Sequence, residues 1–429
     1  MRLIQTTGRG ARKAAEVIAA LEARGGTSLD GVLPLVRRIV ADVRRGGDRA
    51  LLKYAKKFDE LRGVEELCIG AEEMAAAWEA CSTEMRAALT TAAEQIRGFA
   101  QRQMPESWKS EPIAGLMTGQ LMRPLDAVGC YVPSGRHPLP STLLMTVIPA
   151  QVAGVERIVA VSPKPARETL AAAHLLGLTE FYRVGGAHAI AALAYGTEGI
   201  VRVDKIVGPG NLYVTAAKRE VAFDCAIDML AGPTEIVVTS ERGTVGEIAS
   251  DLVAQAEHDP EAMAIFITTR SPLAEAVIAE TKIRARTNAV AREALKRNGV
   301  VIVTASIEEA HELTNRIAPE HLTVDSSEDL AWVRNAGSVF VGRWSAQPMG
   351  DYISGPNHTL PTGGQARVRG GLSVNDFVKL ITVQEYDAAA MQELGPKAVL
   401  LAEAEGLTAH AEAVRVRLKS ASGRRKVNG

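Results

Sequence analysis

The sequence predicts an α/β protein: two Rossmann-like modules with mainly parallel sheets, a helical N-terminal segment and a small helical C-terminal tail domain. From about residue 127 onward, short apolar runs bounded by Gly, Pro or Asp alternate with stretches of helical periodicity, the pattern of βαβ units. Glycine-rich turns fall between strand and helix candidates at 185–187 and 208–210. At 429 residues the chain is too long for one ordinary core.

The first hundred or so residues read as helical, with Leu33, Val36, Ile39, Val40 and Val43 at helical spacing and charges between them. A second helical pattern runs over 71–103, and Pro105 and Trp108 mark a change of texture. The strand candidates of the first module are 128–132, 157–161, 181–184 and 205–207, with helices near 143–153, 168–176 and 187–194. A second series has strands at 235–239, 265–268, 300–303 and 338–341 and helices at 245–257, 272–283 and 307–317. These patterns divide the chain into a helical segment over 1–26, a larger α/β domain made of 27–130 plus 236–370, and a smaller α/β domain over 131–235. The N-terminal helices are expected to pack on the larger domain. The tail, 371–429, reads as helical and too small to fold alone, so it is expected to dock on another surface. No repeat of about 20–50 residues is visible.

Lysine plus arginine (49) nearly cancels aspartate plus glutamate (50), and the formal net charge of −1 gives no pull toward nucleic acid or a membrane surface. The sharpest charge run, Arg424, Arg425 and Lys426, sits on a terminal tail where charges are usually solvated. None of the four cysteines, Cys68, Cys81, Cys130 and Cys225, forms a C-x-x-C pair, so a thiolate metal site is not signalled. The basic start lacks an apolar core for a secretory signal, and no apolar stretch reaches the ~18 residues of a membrane helix. A cytoplasmic location with reduced thiols follows as the expectation.

Four segments could carry chemistry. In Gln255-Ala256-Glu257-His258-Asp259-Pro260, Gln255 and His258 are three apart and can share a helix face. They suit a metal through amide oxygen and imidazole nitrogen, or a solvated helix end where the dipole favours a histidine. Glu320-His321 pairs a carboxylate with an imidazole, two groups able to move protons near neutral pH. Adjacent strand residues point to opposite sides, so the pair needs a turn, which Pro319 makes available. The Gly- and Pro-rich stretch 350–364 carries Asp351 and His358, and such loops cannot build core. Gly406 interrupts a helix between Glu405 and His410, which reads as a site or as a helix boundary. The glycine turns 185–187 and 208–210 could let backbone N–H groups approach phosphate, or only close tight βα connections. The G-x-G-x-x-G fingerprint, H-E-x-x-H and G-x-S-x-G are all absent.

Taken together and in order, these stretches resemble the histidinol dehydrogenase family. The matching segments are 131–133 (YVP), 183–197 (RVGGAHAIAALAYGT), 204–213 (DKIVGPGNLY), 228–235 (DMLAGPTE), 255–260, 318–322, 335–338, 350–364, 372–377 and 401–410. The resemblance implies a four-electron oxidation of L-histidinol through L-histidinal to L-histidine with two NAD+. It implies one Zn2+ per subunit held by Gln255, His258, Asp351 and His410. It implies His321 and Glu320 as the proton-transfer groups. Thr234, His358 and Glu405 join the zinc ligands and His321 at substrate-contact positions, and Tyr131, His188 and Asn211 fall at NAD-contact positions. It also implies a homodimer whose tail is exchanged between subunits, so that Glu405 and His410 reach the other subunit's site. A small amino alcohol is the implied partner, with no nucleic acid and no membrane.

Three positions depart from the family pattern. His188 stands where the family has Gln, Thr234 where it has Ser, and Pro133-Ser134-Gly135-Arg136-His137-Pro138 replaces a Pro-Gly-Gly stretch. Three other readings stay open: a paralogue using the same chemistry on another polar alcohol, such as a sulfonated diol, a non-catalytic nucleotide-binding module, and a zinc-dependent hydrolase.

Overall fold

The computed structural model describes residues 1–25, 28–134 and 139–423, so the departure at Gly135, Arg136, His137 and Pro138 and the terminal basic run lie outside the described residues. The chain forms two compact units, Met1–Gln103 with Leu125–Phe377, and Met104–Pro124 with Val378–Gly429.

In the first unit the chain opens with strand β1 (Arg2–Gln5). Helices α1 (Ala11–Glu22), α2 (Leu33–Phe58), α3 (Ala71–Glu79) and α4 (Thr83–Arg102) follow. Helix α4 starts where the Ser82 hydroxyl accepts the Met85 N–H, and α2 breaks at Gly47, whose φ is +50°.

Strands β2 (Trp108–Ile113) and β3 (Leu116–Pro124) belong to the second unit. Back in the first unit, β4 (Ala127–Tyr131), α5 (Pro140–Ala153), β5 (Arg157–Val161), α6 (Arg167–Leu175) and β6 (Glu180–Tyr182) form one wing. Then α7 (Gly186–Tyr195), β7 (Lys205–Val207), α8 (Leu212–Val221) and β8 (Ala226–Ile227) form the other. The five strands are parallel, in the order β6-β5-β4-β7-β8. The chain reverses direction across the sheet between β4 and β7. At such a switch point the loops at the strand carboxyl ends run to opposite faces of the sheet, which in doubly wound sheets makes a ligand crevice.

The second sheet is built by β9 (Glu235–Thr239), α9 (Val245–Ala256), β10 (Met263–Thr268), α10 (Ser271–Arg284), α11 (Ala289–Asn298) and β11 (Val300–Val303). Helix α12 (Ile307–Ile317), β12 (His321–Val324), β13 (Ser338–Val341) and α13 (Gln347–Tyr352) complete it. Its order is β1-β11-β10-β9-β12-β13, again parallel throughout. Here the reversal falls between β9 and β12, but the carboxyl-end crevice is plugged. Asp325 accepts the N–H groups of Glu241 (2.8 Å) and Arg242 (3.0 Å) and the Ser240 hydroxyl, so the donors that would receive a phosphate there are already used.

The segment expected as helix at 1–26 begins as a strand. β1 is a four-residue edge with only Ile4 buried, too short to show alternation. The placement of the N-terminal helices also differs from expectation. Helix α1 packs on the six-stranded sheet through Ala14, Ile18 and Leu21. Helix α2, however, buries Val36, Ile39, Val40 and Val43 with Ile190 and Val214 of the five-stranded module, while α3 packs on α6 and α4 on α5. Amphipathic periodicity shows that a face is buried but not which sheet buries it.

In the second unit β14 (Val378–Tyr386) pairs antiparallel with β3, and β3 with β2. Helices α14 (Ala388–Ala404) and α15 (Thr408–Gly423) pack on each other. The tail is thus part strand, and its partner strands come from 108–124. Among the described residues no helix is long and apolar enough to cross a membrane.

Candidate active site

The chemistry-bearing residues of the first unit converge at the amino ends of β9 and β12. Helix α12 ends on Ala318, a non-glycine residue at φ +51°, and Pro319 follows. That left-handed residue supplies the turn the adjacent pair requires. It places the Glu320 carboxyl and the His321 ring on the same side, with Oε2 of Glu320 3.6 Å from Nδ1 of His321.

Both groups are held by the main chain of one residue, Glu235. Its N–H donates to Glu320 Oε2 at 2.8 Å and its carbonyl accepts from His321 Nδ1 at 3.2 Å. The Glu235 side chain is in turn locked by Arg24, whose Nε and Nη2 donate at 2.6 and 2.8 Å, and by the Gly363 N–H. Thr234 Oγ1 donates to Glu320 Oε2 at 2.6 Å and accepts from Gln255 Nε2. Asp351, in the last turn of α13, accepts Gln347 Nε2 at 2.9 Å, and its other oxygen lies 3.9 Å from His321 Nε2. His358 donates from Nδ1 to the Asp351 carbonyl at 2.9 Å and accepts the Thr142 hydroxyl at Nε2, 3.2 Å away. A cavity of about 390 Å³ opens here, lined by His321, Asp351, His358, Asn357 and Phe340. That volume suits a small polar molecule.

The hydrogen bonds fix the protonation states. A carbonyl can only accept, so His321 carries its proton on Nδ1 and leaves Nε2 as a free base. Burial, opposed by Asp351 and by the Glu235 carbonyl and carboxylate, keeps this ring below the ordinary histidine value and therefore neutral. Burial also lowers His358, against the pull of Asp351; His321 and His258 add to the lowering. Glu320 moves the other way. Burial raises its carboxyl well above the ordinary range despite the bonds from Thr234 and Glu235.

The raised carboxyl has a stability consequence. Above the ordinary carboxyl value the unfolded chain has lost a proton that the folded chain keeps, so this group makes stability fall as pH rises. Glu320→Gln removes the titration. In metal-stripped protein its Tm is expected to exceed that of the parent by a margin that widens as pH rises above the ordinary carboxyl range. A margin that shrinks over that rise in paired thermal melts would contradict the assigned direction.

Gln255 is fully buried, yet its Oε1 has no hydrogen-bond donor within reach. An orphaned buried carbonyl costs about 1–3 kcal/mol, and a cation would satisfy it. Among the described residues no three His, Cys, Asp or Glu side chains form a metal cluster on their own. The side chains expected from the sequence to hold an ion would offer it a mixed set of donor types: the Gln255 amide oxygen, the His258 imidazole and the Asp351 carboxylate. Zinc accepts all three donor types, so the residues fit it.

The remaining sequence-predicted residues lie elsewhere. Tyr131 ends β4; its hydroxyl accepts the Gly186 N–H at 3.1 Å, and burial pushes its phenol up to about 12. Asn211 caps α8 by accepting the N–H groups of Tyr213 and Val214 and remains exposed. These two flank the β4/β7 crevice. His188 is 1% exposed. Its Nε2 is bonded to Asp59 Oδ2 at 2.6 Å, and Asp59 also accepts the Gly185 N–H. The ring is buried beside the glycine turn. Glu405, the C-cap of α14, and His410, in the first turn of α15, are exposed on the second compact unit. Sequence reading missed Arg24, Asp59, Glu235 and Gln347. Only Glu235 stood inside a recognised segment; Arg24 and Asp59 meet partners far along the chain, whereas Gln347 pairs with Asp351 only four residues on.

One doubly wound sheet with a switch point between β4 and β7, and a second sheet presenting a neutral imidazole beside a buried carboxyl, fit an α/β enzyme of the dehydrogenase class. A family model described as histidinol dehydrogenase matches residues 22–418. The chain is 48% identical over 416 residues to histidinol dehydrogenase from Geobacillus kaustophilus (strain HTA426), covering 92% of this chain and 98% of the relative. It is 46% identical over 416 residues to that from Methanothermobacter thermautotrophicus, covering 94% and 97%. The crystal structure of histidinol dehydrogenase from Elizabethkingia anophelis superposes with a TM-score of 0.91 at 35% identity, covering 98% of both chains. The chain belongs to the histidinol dehydrogenase family.

Proposed function

We propose that this chain oxidises L-histidinol through L-histidinal to L-histidine, using two NAD+ and one zinc ion per subunit. The carrying observation is that Glu320 and His321, adjacent in sequence, are held as two separate proton carriers by the main chain of Glu235. An alcohol-to-acid oxidation needs two such groups, one for the hydroxyl proton and one for the water that enters.

Gln255, His258 and Asp351 would hold the zinc, with His410 supplied by the tail of a second copy. When bound, the ion would supply a Lewis acid and a template for the substrate's nitrogens. NAD+ supplies the hydride acceptor, at the β4/β7 crevice beside Tyr131 and Asn211. His321 Nε2 takes the hydroxyl proton as the carbinol carbon gives up its hydride. Glu320, in its carboxylate form and with a proton affinity above that of an ordinary carboxylate, takes a proton from water as the oxygen adds to the aldehyde carbon. The hydrate then loses the second hydride together with a hydroxyl proton, which His321 Nε2 takes after releasing the first to solvent, and leaves as the acid. Thr234 orients Glu320, and His358, Glu405 and the zinc ligands line the substrate. His188 serves the cofactor turn through Asp59 and the Gly185 N–H.

A homodimer with exchanged tails is supported by the second unit itself. It exposes Leu400 (67%) and Leu401 (68%), and its helices bury little beyond Ala390, Val399 and Ala411. Four free cysteines agree with a reducing cytoplasm. The test is product counting: zinc-loaded protein is expected to form two NADH per L-histidinol consumed. No NADH from L-histidinol would reject this reading in favour of another polar alcohol or of a non-catalytic module.

A further inference from the structure

A buried ion pair that the chemistry does not use sits beneath the β4/β7 crevice. Lys218, on α8, and Asp228, just after β8, are 3% and 6% exposed, and their charged atoms lie 2.6 Å apart. Both reach the same loop residue. The Gly208 N–H donates to Asp228 Oδ2 at 2.8 Å, and the Gly208 carbonyl accepts from Lys218 Nζ at 2.5 Å. Asp228 also accepts the Met229 N–H at 2.6 Å. Gly208 has a φ of +109°, and a Cβ there would run into the Tyr131 carbonyl. The loop therefore lies directly on the end of β4 and cannot carry a side chain at this point.

A buried ion pair is weak evidence of stability, because desolvating both charges offsets their attraction. What this pair does instead is hold both polar atoms of the first residue after β7, neither of which a strand partner takes. The next residues, Pro209, Gly210 and Asn211, carry the exposed amide at the crevice. We propose that Lys218 and Asp228 are positioning residues for the dinucleotide site: they clamp Gly208 and so hold the 208–211 loop in its binding shape before NAD+ arrives. The proposal rests on the reading that NAD+ occupies this crevice.

The clamp is also continuous with the proton-handling site. Asp228 begins the segment 228–235, which ends in Thr234 and Glu235. That segment is tied along its length to one stretch of chain: Arg369 donates to the Asp228 carbonyl, Gln365 to that of Leu230 at 3.3 Å, and the Gly232 N–H to Thr362 Oγ1 at 2.6 Å. Because the Thr234 end has these ties of its own, loss of the clamp is expected to loosen the cofactor loop first.

The test uses the zinc-loaded full chain with Lys218→Met, which keeps the stem but removes the donor. A second variant, Lys218→Met with Asp228→Asn, leaves no unpaired buried charge and remains foldable if the single change does not. A freed loop residue must be re-ordered on binding, so the KM for NAD+ is expected to rise about tenfold or more. The KM for L-histidinol and the zinc content should stay as in the parent. Amide hydrogen exchange of the 205–214 stretch should speed up in the absence of any ligand. An NAD+ KM within about twofold of the parent, or unchanged exchange in that stretch, overturns the clamp. If the parent itself shows no NAD+-dependent turnover, the functional reading fails on that arm alone, and exchange still decides whether the pair holds the loop.

Discussion

His321→Asn is expected to lower kcat by about 10²–10⁴-fold while zinc content and NAD+ affinity stay at parental levels. Asparagine keeps a donor that can reach the Glu235 carbonyl and roughly the same reach from the backbone, so the local frame should survive. It loses the one property the site depends on, an unprotonated ring nitrogen. In the folded chain that nitrogen is Nε2, because Nδ1 donates to Glu235 at 3.2 Å. Burial keeps the ring neutral and so ready to accept a proton. The neighbouring imidazole cannot substitute: His358 has its Nδ1 committed to the Asp351 carbonyl and its Nε2 to Thr142. Stopped-flow reduction of NAD+ with metal analysis on the same sample checks both halves. A variant that turns over within about fivefold of the parent would remove His321 from the role of base.

The parts of this site that could be read from sequence are those coded locally. Gln255 and His258 fall three apart on a helical pattern, Pro319 breaks a helix just before Glu320-His321, and glycine turns punctuate the ends of β6 and β7. Each signal lies within a few residues. The supports are coded at long range. Arg24 reaches Glu235 across 211 positions, and Asp59 reaches His188 across 129. No periodicity in either segment encodes such a meeting. The same limit explains several of the strands that were missed. β1 and β8 contribute four and two residues at or near sheet edges. β14 alternates little because most of its residues are exposed. The helical face of α2 was legible, but its partner sheet was not, since an apolar stripe fits either module. At His188 the geometry adds a partner that the resemblance does not name. The position matches a cofactor contact in the family, while this chain's imidazole turns inward to Asp59.

The sharpest discrimination between a metal ligand and an ordinary buried amide comes from Gln255→Leu. If Gln255 were only structural, losing its amide would remove the bond to Thr234 and destabilise the fold by about 0.5–1.5 kcal/mol. The orphaned Oε1 argues the opposite for metal-free protein. Leucine has a similar volume and leaves no unsatisfied carbonyl, which relieves a penalty of about 1–3 kcal/mol, and Thr234 keeps its own bond to Glu320. The metal-free variant is therefore expected to melt at or above the temperature of the metal-free parent. Its bound zinc should fall from one per chain to a small fraction, and L-histidinol turnover to background. Zinc should raise the Tm of the parent, because binding to the folded state alone adds its binding energy to stability, and should leave the variant's Tm unmoved. A variant that still binds stoichiometric zinc would take Gln255 out of the ligand set. Lost zinc combined with a lower metal-free Tm would show that the amide's bond to Thr234 outweighs the cost of its unpaired oxygen.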